Sequence, residues 1–125
     1  MKSSSARQSI LFVAGLMGLA GVVSAAAASH GADPRLLGGA SAMCLAHAPA
    51  LIALYAGWLQ IRTAALAAIL LAAGTALFAT DLTTRHVLGH GLFPMSAPTG
   101  GVLMMLGWLA IAMGAVLPRR VTQER

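Results

Sequence analysis

Long stretches without a single charged side chain constrain this chain more than any other feature. Residues 8–32, 36–61, 63–80 and 86–118 contain no Asp, Glu, Lys or Arg. A helix crosses the hydrocarbon core of a bilayer with ~20 mostly apolar residues, in a range of about 17–25. Four segments satisfy that requirement, near residues 9–28, 39–59, 63–80 and 101–117. Charged residues form 9% of the chain and hydrophobic ones 58%, whereas a soluble domain carries about 25% charged residues. A water-facing surface cannot be built from so few charges. An unpaired backbone amide in lipid costs several kcal/mol, which makes the spans helical. The predicted fold is an all-α integral membrane protein, an antiparallel four-helix bundle that occupies 1–125 as one domain.

The N-terminus admits a second reading. A short basic region, "MKSSSARQ", precedes the apolar "ILFVAGLMGLAGVV" and the small-residue tract "SAAAA", which is the layout of a cleavable signal peptide. The apolar run continues through the alanines and is long enough to span, so it is read as the first helix.

The net charge is +5 and the isoelectric point about 11.3. The basic residues are scattered without interleaved aromatics, which argues against nucleic acid as a partner and for the lipid bilayer. With both termini in the cytoplasm, that side holds Lys2, Arg7, Arg62, Arg119, Arg120 and Arg125. The other side holds Arg35 and Arg85, each near an acid, Asp33 and Asp81. This asymmetry obeys the positive-inside rule and predicts an even number of spans with both ends inside.

Helix packing in lipid relies on small residues that let backbones approach. Gly15, Gly18 and Gly21 supply them in the first span. Gly100, Gly107 and Gly114 recur every seven residues in the fourth, a seam that drifts only about 20° per heptad. Pro49 interrupts the hydrogen-bond ladder of the second span and predicts a kink. The "SHGADPRLLGG" segment, with Gly31, Pro34 and Gly38-Gly39, reads as the first turn. Tyr55 and Trp58 fall where interfacial aromatics collect.

Depth sorts the polar residues into two layers. His47 lies near the middle of the membrane, where an ionisable group is a functional candidate by default. The alternative is a neutral imidazole in a structural hydrogen bond, with Thr75 or Trp108 as partner at similar height. No acid reaches that depth to form a proton relay. Asp81 ends the third span at the outer boundary. Arg85 follows four residues later, in the favourable order for an ion pair on one helical face. Pro94 and Pro98 preclude a regular helix through "FPMSAPTGG", and its backbone amides are candidate donors to the Asp81 carboxylate. His86 and His90 share the spacing of two metal ligands on one helix face, and His30 is within reach from the first loop. Gly89 and Gly91 interrupt helical continuity there, so a structural cluster is the leading reading and metal binding the weaker one.

Cys44 is the single cysteine, which excludes an intrachain disulfide or a cysteine zinc cluster. There is no nucleophile elbow, phosphate-binding loop, dinucleotide-binding glycine motif or haem-attachment motif. No catalytic residue and no cofactor are expected.

"SHGAD", "AHAPALIAL", "GTALFATDL" and "FPMSAPTGGVLMMLGWLAIA" together resemble the bacterial domain of unknown function 423 family, related to transmembrane protein 256 of animals. By eye the resemblance covers Ala14 to Val116, and "PTGG...GW" is its most specific block. In that family a histidine follows the first helix and a second lies within the next one. His30-Gly31 and His47 match those positions, with Ser29 and Ala46 departing from the residues usual before them. Asp81 fits a small residue–aspartate–leucine step. The resemblance implies a four-helix inner-membrane protein and supplies no activity.

The expected role is structural, assembly or accessory, within a homo-oligomer or a larger membrane complex. The rival is a minimal oligomeric transporter or channel for a small solute that titrates His47 or Asp81. Metal binding on the periplasmic side by His30, His86 and His90 is the weaker third.

Overall fold

A computed structural model describes residues 2–118, with side chains from Ser4 onward; Arg119, Arg120 and Arg125 lie outside the described residues. Four helices account for nearly all of it: α1 (Lys2–His30), α2 (Arg35–Ala56), α3 (Ala64–Leu88) and α4 (Ser96–Val116). Each is long and apolar enough to cross a membrane. The chain is an all-α antiparallel bundle, as its sequence predicts.

The helices pack in chain order. α1 lies on α2, α2 on α3 and α3 on α4, with slight contact between α1 and α3. The backbone of α4 meets neither α1 nor α2. α2 and α3 therefore form the middle and the other two the flanks. Flanking helices show their side chains to the surroundings: Phe12 on α1 is 68% exposed, which suits a hydrocarbon solvent.

Every helix begins or ends away from the limits that charge and hydropathy suggest. α1 starts at Lys2 rather than near 9, because the polar N-terminal residues extend the same helix. α2 starts at Arg35, so Gly38 and Gly39 lie inside it and not in the turn. There Gly39 faces α3, where a methyl would stand 3.2 Å from Leu82 Cδ1. α3 runs on to Leu88, two turns beyond 80, and stops at Gly89, whose φ of 78° is the left-handed conformation that favours glycine at a helix end. α4 starts at Ser96, which places Pro98 in its first turn. That overturns the expectation that Pro98 breaks the segment, since a first-turn amide has no acceptor within the helix and its loss costs nothing there. Pro49 sits within α2, which continues to Ala56.

The flanking contacts are built differently. On α1, Ala14, Met17, Gly21, Ser24 and Ala28 form one stripe at alternating three- and four-residue steps, the spacing of a left-handed helix pair. Gly21 makes the close approach: a Cβ there would lie 2.7 Å from Leu45 Cγ. The Ser41 hydroxyl donates to the Gly21 carbonyl at 2.7 Å. Gly18 is in ordinary contact with Ala48, while a methyl on Gly15 would meet nothing. Gly15 thus takes no part in packing within this chain, because it points away from the stripe.

α3 and α4 approach through glycine on both sides. A Cβ on Gly74 would stand 2.7 Å from the Gly100 carbonyl oxygen, and one on Gly100 would stand 2.7 Å from that of Gly74. Gly107 faces Leu71 and Gly114 faces Thr63, so the heptad seam of α4 lies along α3. Thr63 Oγ1 donates to the Ala110 carbonyl at 2.6 Å. Arg62 Nη1 donates to the Pro118 carbonyl at 3.0 Å, and Arg7 Nε to that of Tyr55 at 2.9 Å. The Arg7 guanidinium also lies over the Tyr55 ring, 4.3 Å from its centroid, an attraction between cation and π face. These ties gather the start of α1, the α2–α3 turn and the end of α4 at one end of the bundle.

Gly100→Ala forces two backbones apart and is expected to destabilise the protein by about 1–3 kcal/mol. Gly15→Ala meets open space and gains helix propensity, so it should be neutral or stabilising by up to about 1 kcal/mol. Denaturant unfolding in detergent micelles, followed by circular dichroism, separates the two.

Candidate functional site

Asp81 is the focus of the polar layer at the α3–α4 turn. It is fully buried, at 0% exposure, because α3 continues past it and the α3–α4 turn folds over it. Oδ2 accepts from Arg85 Nε at 2.7 Å. Oδ1 accepts from the Leu92 amide at 2.8 Å and from the Ser96 hydroxyl. An ionised carboxylate only accepts, and three donors from three directions match it. Arg85 places its charge one turn away yet leaves its own side chain 41% exposed, so the cation keeps contact with the boundary while the anion does not. Gly91 lies directly above the pair: a methyl there would stand 2.5 Å from Asp81 Oδ1 and 2.6 Å from Arg85 Nη2. The turn closes with Met95 in the left-handed conformation, φ 68°. Such a residue costs on the order of 1–3 kcal/mol and persists where its surroundings fix it. Here the next residue, Ser96, is bonded to Asp81.

The inner layer is a pair across helices. His47 on α2 is 5% exposed. Its Nε2 lies 3.1 Å from Trp108 Nε1 on α4, and its Nδ1 lies 2.8 Å from the Met43 carbonyl. An indole N–H donates and never accepts, so Nε2 carries the lone pair and the ring proton resides on Nδ1, donating to Met43. This fixes a neutral imidazole in one tautomer. The rings meet at a tilt of 58° with centroids 5.9 Å apart. Thr75, the other residue at this height, is fully buried, and its hydroxyl finds no partner among the described residues.

The remaining sequence candidates are dispersed. His30, His86 and His90 are exposed, and no group of three His, Cys, Asp or Glu residues suited to a metal ion occurs among the described residues. His86 and His90 do not share a helix face, since α3 ends at Leu88. Pro94 lies in the turn before α4. Cys44 is buried on α2, beside a groove of about 200 Å³ that opens between α1 and α3 past Ser24 and Thr80.

A family described as "Protein of unknown function (DUF423)" matches residues 24–101. The chain belongs to the DUF423 family. The match holds the end of α1, all of α2 and α3, and the turn with Asp81, Arg85, Gly91 and Ser96. It is narrower than the resemblance by eye: Gly107 and Trp108 lie beyond it. No solved structure matches the chain.

Ser96 was not among the sequence candidates for this site. Its signal is a helix-start serine two residues before a proline, which the assumption of a broken segment hides. Arg7 over Tyr55 left no signal, since their numbers are far apart.

Asp81→Ala leaves the buried Ser96 hydroxyl without an acceptor, a penalty of about 1–3 kcal/mol before the Leu92 amide is considered. Asp81→Asn keeps one acceptor and is expected to fall between Ala and the parent. Thermal unfolding in micelles, with limited proteolysis of the 89–95 turn, ranks the three.

Proposed function

We propose that this chain is a structural, assembly or accessory component of a bacterial cytoplasmic membrane, working without chemical turnover. The observation that carries the reading is the saturation of Asp81 by Arg85, Leu92 and Ser96. A carrier that couples to protons needs a carboxylate or imidazole free to exchange its partner for solvent or solute. Asp81, the carboxylate the transporter reading would titrate, is instead engaged by three donors of its own hairpin. The broad apolar flanks of α1 and α4 offer surface to lipid, to further copies or to a larger membrane complex. The scattered arginines support cytoplasmic placement of both ends.

Affinity capture in mild detergent, followed by mass spectrometry, tests this reading. It expects a membrane protein partner recovered in fixed ratio with this chain, and no pH-driven solute flux in proteoliposomes. Flux that disappears in Asp81→Asn, with folding intact, favours the transporter instead. Reporter fusions at both ends are expected to signal from the cytoplasm.

A further inference from the structure

The Trp108–His47 bond has a property that neither residue has alone: its donor is permanent and its acceptor is not. Trp108 Nε1–H cannot accept, and His47 Nε2 accepts only while it lacks a proton. Protonation at Nε2 sets two N–H groups against each other at 3.1 Å and leaves Nδ1 bonded to Met43 as before. We propose that this bond is a proton-sensitive clasp, closing α4 onto α2 while His47 is neutral and opening when it is charged.

Three features of the fold give the clasp leverage. The backbones of α2 and α4 do not meet, so the side-chain bond bridges a gap instead of reinforcing a packed interface. Trp108 is 48% exposed and has room to turn toward lipid, whereas His47 is enclosed. Nothing ionic nearby competes with the proton. On α2 the other charged or titratable side chains are Arg35 at its first residue, Cys44, one turn before His47, and Tyr55, two turns after it. α3 has neither a charged nor a titratable side chain between Arg62 and Asp81, and α4 has none from Ser96 to Val116. α1 has none between Arg7 and His30, and Arg7 is held at Tyr55. With no carboxylate at this depth, an imidazolium finds no counter-ion to hold it in the place that Trp108 leaves. The clasp does not depend on the accessory role proposed above.

The indole N–H itself reports the bond. With the full chain labelled with ¹⁵N in lipid nanodiscs, the two tryptophans give two indole signals, and Trp108→Phe identifies the one that belongs to Trp108. Lowering the pH from 7.5 to 4.5 is expected to move the Trp108 proton upfield and speed its exchange with deuterium, leaving Trp58 in place. His47→Gln keeps an acceptor that does not titrate, and its Trp108 signal is expected to stay constant. A Trp108 signal indifferent to pH in the parent protein overturns the proposal, as does one that moves equally in His47→Gln. The parent protein is sufficient to refute the clasp, so a variant that fails to fold does not rescue it.

Discussion

Hydrocarbon offers no hydrogen-bond partner, and this single deficiency governs how the chain disposes of its polar groups. Thr83, Thr84 and Thr99 each return their hydroxyl to the carbonyl four residues earlier on the same helix or at its start, so their methyls are what they show outward. Ser41 and Thr63 donate instead to carbonyls of neighbouring helices, converting the same need into tertiary contact. His47 does both at once, one nitrogen to its own helix and the other to α4. Among the buried side-chain N and O atoms of the described residues, the Thr75 hydroxyl is the exception.

Where lipid removes the hydrophobic drive between helices, close packing must supply cohesion. The bundle meets that demand unevenly. α3 and α4 touch backbone to backbone through Gly74 and Gly100, and the α4 seam continues through Gly107 and Gly114. α1 relies on one close glycine and on a hydroxyl at Ser41. Directional bonds add to this packing: Arg7 fastens α1 to the end of α2, and Trp108 reaches α2 from a helix whose backbone does not. The Asp81 cluster pins the α3–α4 turn. Polar residues in this protein thus join helices that packing alone leaves apart, α2 and α4 above all.

The two polar layers are also different in kind. Asp81 is bonded to groups no more than 15 residues away in sequence, all within one hairpin, so its cluster forms with that hairpin. The His47–Trp108 bond spans a separation of 61 in sequence and depends on how three helices stack. A local cluster suits a fixed structural role. A remote bond between elements that do not otherwise touch is the place where a change in one proton alters the arrangement of helices.

Charge-free intervals by themselves pointed to a helical membrane protein with four segments long and apolar enough to span, because the thickness of a bilayer sets their length and the cost of a bare amide in lipid makes them helices. The Asp81–Arg85 pair and the α4 glycine seam were also legible, since both depend on helical spacing alone. The ends of the helices were not: Pro98 and the Gly38-Gly39 pair look like breakers in one dimension, yet the first turn of a helix tolerates proline and a tight helix contact favours glycine. Tertiary structure alone decided that Gly15 stands idle while Gly21 packs, that Ser96 completes the carboxylate site, and that His47 chooses Trp108 over Thr75. Each of these depends on the rotation of one helix against another, and periodicity along a single chain fixes spacing on a helix without fixing which side its neighbour occupies.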